Sequence, residues 1–123
     1  MTTDEAAVDL QGTGERLLAQ ARDSSARKAA QAVFVGPGLR AVLVALAADG
    51  ALAEHNAPAA ATLQCLRGRA RLWAASSSWE LAPGDLAAVP PERHGVDALE
   101  ECVLLLTVAA GRAPEPVELA VPR

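Results

Sequence analysis

The chain has 123 residues and a formal net charge of −4, enough for one domain that buries roughly two thirds of its unfolded surface, and an acidic balance that excludes a nucleic-acid partner, which needs a basic face. Hydrophobic residues make up 51% of it and aromatics only 2%, so the apolar content is Ala, Val and Leu, without the rings on which single strands stack. The apolar runs are strand-length, far short of the ~20 residues that cross a bilayer, and Met1-Thr2-Thr3-Asp4-Glu5 lacks the basic-then-apolar order of a secretion signal; a cytoplasmic protein with no membrane partner is expected.

Residues 1–30 form the first segment. Thr13 is placed to cap a short helix, with Glu15 in its first turn and Leu17, Leu18 and Ala21 along one face. Ser24, Ser25, Arg27 and Lys28 are its polar exit.

A β pattern then runs through residues 31–112. Ala32 to Val35 is a short strand closed by Gly36-Pro37-Gly38. Leu39 to Ala48 is an apolar strand ended by Asp49-Gly50, a common hairpin pair. Ala60 to Leu66 and Arg69 to Ala74 flank Gly68 as a tight hairpin, followed by a bend at Ser76-Ser77-Ser78 and a short strand from Trp79 to Leu81. Pro83-Gly84-Asp85 fits a turn with Pro second and Gly third. Leu86 to Val89, His94 to Ala98 and Cys102 to Val108 complete the strands, and residues 113–123 are a Pro-rich tail. Many short strands with regular turns point to an all-β sandwich or barrel. Cys65 and Cys102 each lie inside an apolar run, without a spacing motif, and are read as buried free thiols.

The chemistry rests on two histidines. His55 follows the Asp49-Gly50 turn and His94 follows Pro90-Pro91, each read as the start of a strand. They meet only if the sheet folds back on itself, as a closed barrel does.

The residues around them resemble the two cupin motifs. The first is a Gly, a His-x-His pair, a Glu and a later Gly; here the run is Gly50, His55-Asn56-Ala57, Ala61 and Gly68. The second is a Gly, a Pro and a His; here Gly84, Pro90 and His94. The resemblance spans residues 39–109 and implies a jelly-roll barrel, here with a short N-terminal helix, forming a homodimer with its site inside the barrel mouth. The Arg, Ala and Pro bias, with Lys28 the single Lys, fits a small bacterial member.

The resemblance also carries a departure. His55 and His94 match two of the ligand positions, while Ala57 and Ala61 replace the second His and the Glu. Two imidazoles without a carboxylate are a weak set for a hard divalent ion, so no cofactor is favoured; a divalent transition metal held by His55 and His94 is the alternative. The expected function is binding of a small, largely apolar molecule, with His55 and His94 as the catalytic pair of a metal-independent isomerisation or cyclisation. A depleted metal enzyme and a non-catalytic sensor are the other readings. Gln64, Trp73 and Arg93 are the expected ligand contacts: Gln64 if a bulge turns it inward against simple alternation, Trp73 beside the Ser-rich bend, and Arg93 as a receiver for an anion.

Overall fold

The computed structural model describes residues 7–55 and 60–109. Helix α1, Leu10–Asp23, precedes nine strands among the described residues: β1 Lys28–Gly36, β2 Leu39–Leu46, β3 Ala51–His55, β4 Ala61–Arg67, β5 Ala70–Ala74, β6 Ser78–Leu81, β7 Leu86–Ala88, β8 His94–Ala98 and β9 Cys102–Ala109. They form two antiparallel sheets, β1-β2-β9-β4-β7 and β3-β8-β5-β6. None of the described helices is long and apolar enough to cross a membrane.

Alternation along the strands builds the core between the sheets. Leu63 and Cys65 on β4 and Ala70, Leu72 and Ala74 on β5 are buried at every second position, the period that turns one face of a strand inward. Leu63, Cys65, Ala70 and Leu72 meet Val44, Leu46, Val96, Cys102 and Leu104 from the other strands. Cys65 and Cys102 are free and buried, as expected.

A second cluster lies outside the five-stranded sheet, where Leu17, Leu18 and Ala21 of α1 pack on Leu43, Ala45 and Val103. Burying each of those leucines contributes about 2 kcal/mol. The helix begins a turn earlier than the sequence suggests. Asp9, not Thr13, is its cap, with Oδ1 accepting from the Gly12 N–H at 3.0 Å. A carboxylate suits that end because it also meets the positive pole of the helix dipole, and the extra turn brings Leu10 onto the apolar cluster.

The two ends of the barrel differ. On the inner row of β2, Leu46 and Val44 are buried, Val42 is half-buried and Arg40 is exposed; on β9 the matching series is Cys102, Leu104, Leu106 and Val108. One end is therefore sealed and the other open. At the sealed end Gly68, with φ +77°, turns β4 into β5 against the backbone of Glu101 and Cys102. At the open end β3 ends, and β4 and β8 begin.

Candidate functional site

His94 is the one buried polar residue among those described, only 5% exposed, although it sits at the open end. Its neighbour on β5 is Ala74, and its inner row continues through Val96, paired with Leu72. The ring Nδ1 lies 2.9 Å from the Glu92 carbonyl oxygen. A carbonyl only accepts, so Nδ1 carries the proton and the lone pair of the neutral ring is on Nε2. Pro90 and Pro91, each with φ held near −65°, stiffen the segment that presents this carbonyl.

Position 55 is the direct cross-strand partner of position 94. It lies at the end of β3, not at the start of a strand as the sequence suggested. A bulge makes the pairing: Leu52 opposes Val96, yet position 55 rather than 54 opposes 94. One extra residue in the strand shifts the register locally, a device common beside active sites.

The three expected ligand contacts are placed elsewhere. Gln64 lies between Leu63 and Cys65, both buried in the core, and pairs with Leu86 and Leu105 on the outer face. The irregularity of β4 falls after Cys65, too late to turn Gln64 inward. Trp73 alternates with the inner Leu72 and Ala74 and so stands on the outer face of its sheet. Its ring covers Gly95: a Cβ there would collide with it, lying 2.8 Å from Cε2. Gly95 thus admits the indole that backs the His94 strand from outside, with Nε1 buried and without a hydrogen-bond partner. Arg93 is engaged by Glu54, Nε to Oε2 at 3.2 Å, so its charge is already met.

Two inner-row positions complete the open end. Ala61, where the motif has Glu, pairs with Val108 and offers a methyl group. Arg40 lies on the same row, opposite Val35 and Val108. Sequence reading passed over Arg40, yet its signal was local: it is two residues before Val42 and four before Val44, both core-facing.

The described residues contain no group of three or more His, Cys, Asp or Glu that could hold a metal ion. A catalytic zinc site of the usual kind takes three protein ligands. His94, position 55 and a methyl at Ala61 do not make such a set, so no step is routed through a metal.

No family model and no curated protein matches the sequence; solved structures do. A conserved protein of unknown function from Streptococcus pyogenes superposes with a TM-score of 0.67 at 18% identity, covering 87% of this chain and 89% of that one. A cupin superfamily protein from Desulfitobacterium hafniense gives 0.64 at 18% identity, over 74% of this chain and 87% of its own. Salicylate 1,2-dioxygenase from Pseudoaminobacter salicylatoxidans, in adducts with gentisate, gives 0.68 at 20% identity over 80% of this chain, which spans 31% of the dioxygenase. The fold is the cupin jelly roll. That agrees with the expectation from the two motifs.

Proposed function

We propose that this chain binds a small, largely apolar molecule at the open end of its barrel and moves a proton on it with His94, without a metal. The carrying observation is His94 itself: a buried imidazole whose tautomer is fixed by the Glu92 carbonyl, beside Ala74 and Val96 on the inner face. Burying a polar ring costs free energy unless it is hydrogen-bonded, and the Glu92 carbonyl supplies such a bond at Nδ1.

In this reading Nε2 accepts a proton from a C–H or O–H of the ligand, and the imidazole at position 55 returns one at another atom. The net change is an isomerisation or cyclisation that needs no co-reactant. Imidazole suits the step because its ordinary pKa lies near neutrality. The small walls of Val42, Ala61, Leu106 and Val108 select a compact apolar body.

A metal-dependent reading is favoured by one feature. Metal-ligating histidines commonly donate the second ring N–H to a backbone carbonyl, as His94 does to Glu92. Elemental analysis separates the readings: protein never exposed to a nickel column should carry well below one equivalent of transition metal, and a full equivalent resistant to chelator would overturn the metal-free proposal. The role of His94 is tested by His94→Ala in a ligand-observed NMR screen of small carbonyl and hydroxyl compounds. Compounds that bind the parent protein should be lost in the variant, whose fold persists because Val96 and Leu72 carry the packing. Unchanged binding with a lowered melting temperature would mean a structural histidine.

A further inference from the structure

Among the described cations Lys28, Arg40 and Arg71 have neither an ion pair nor a side-chain hydrogen bond to a described residue; Lys28 pairs with Leu46 at the sealed end and Arg71 alternates with the buried Ala70 and Leu72 on the outer face, which leaves Arg40 at the open end. Arg22 pairs with Glu101, Arg67 with Glu15, Arg69 with Glu80 and Arg93 with Glu54. Arg40 has no carboxylate or hydrogen-bond partner among the described residues, and its direct neighbours on the adjoining strands are Val35 and Val108. It is on the inner face, because Val42 and Val44 of the same strand pack on the barrel core and positions two apart share a face. The next residue along that row beyond Val108 is Ala61, so the position where the cupin motif carries an acid supplies no counter-charge. Arg40 thus heads an inner row whose next described members, Val108 and Ala61, carry no charge, on the sheet that faces the one bearing His94.

Packed sheets lie about 10 Å apart, a gap filled by one ring or a short chain with a polar group at each end. Given the reading that the ligand meets His94, we infer that Arg40 receives a carboxylate at the opposite end of that ligand. The pocket's substrate class is then small monocarboxylic acids with an apolar body and a hydroxyl toward Nε2. One planar fork of donors matches one carboxylate. Arg93, nearer to His94 in sequence, does not share the task because Glu54 occupies it.

Benzoate and its uncharged analogue benzamide test this, titrated into the full chain while the resonances of Ala61, Val108 and the His94 ring are followed by NMR. Benzoate should shift these signals and bind about tenfold or more tightly than benzamide, as expected for a hydrogen bond to a charged group. Arg40→Gln should remove that preference, bringing benzoate down to about the affinity of benzamide. Arg93→Gln should alter either affinity by less than about twofold, in line with a surface ion pair. A benzoate preference that survives Arg40→Gln, or that disappears in Arg93→Gln, would overturn the assignment. Equal binding of both probes at the inner row would remove the role of Arg40 and keep the His94 reading. No shift of the inner row by either probe would remove both.

Discussion

Gly38, Gly68 and Gly84 share one backbone conformation, with φ +81°, +77° and +96°, in different surroundings. A Cβ on Gly38 would meet nothing within 4 Å, so Gly38→Ala should cost only the left-handed backbone, about 1–2 kcal/mol. A Cβ on Gly68 would collide with the Glu101 carbonyl oxygen and lie 2.8 Å from its carbon and 2.9 Å from Cys102 Cα. Carbon pairs rest near 3.5–4.0 Å, and the atoms in the way are backbone, next to the fully buried Cys102. The start of β9 must therefore move, which adds about 1–3 kcal/mol of overpacking. Gly68→Ala should cost about 2–5 kcal/mol in total, lowering Tm by roughly 8–20 °C against roughly 4–8 °C for Gly38→Ala. Thermal and urea melts followed by circular dichroism, with equal m-values, would measure the difference. Two variants equal within about 0.5 kcal/mol would refute the claim that this turn is closed against β9.

Burial pushes the Cys102 thiol up to about 12, and the Cys65 thiol upward as well. Unfolded thiols ionise near 8.5, so the stability they protect is complete below that pH and should fall as pH rises toward 12. Urea midpoints should drop between pH 8 and 10, and Cys102→Val should flatten the slope; an unchanged slope would count against the buried thiol as its source. Native protein should label slowly with a thiol reagent and yield two equivalents when denatured. Ala57→His with Ala61→Glu should raise affinity for divalent metal, measured by calorimetry, since Ala61 occupies the inner row; no gain would mean the motif register is wrong. The chain should be a homodimer that covers exposed sheet edges, and light scattering showing a monomer at micromolar concentration would exclude it.

Local features were legible in the sequence. The apolar runs of β2 and β9 and the turns at Gly68 and Gly84 depend on neighbours in the chain, and they appear where the pattern places them. The first strand was less visible: β1 starts at Lys28, inside what reads as a helix exit, because most of its residues are exposed and leave little periodic trace. Gln64 was decided by parity, which the sequence held, and Trp73 likewise. What the sequence hid was pairing across the barrel. Nothing near His94 in the chain shows that Glu54 engages Arg93, or that Arg40, 54 positions away in sequence, shares a row with Ala61. The bulge in β3 is equally silent, since it shows only in the register against β8.

That bulge gives one stretch of chain two settings. Drawn straight from Leu52 opposite Val96, the strand would bring Glu54 to face His94; with its extra residue absorbed, it brings His55 instead. A slip of a single residue would thus set Glu54 opposite position 94 in place of residue 55. In the present setting Glu54 reaches Arg93, the residue before His94, across the two strands. Deleting Ala53 would remove the choice altogether, leaving a straight strand with His55 still opposite His94.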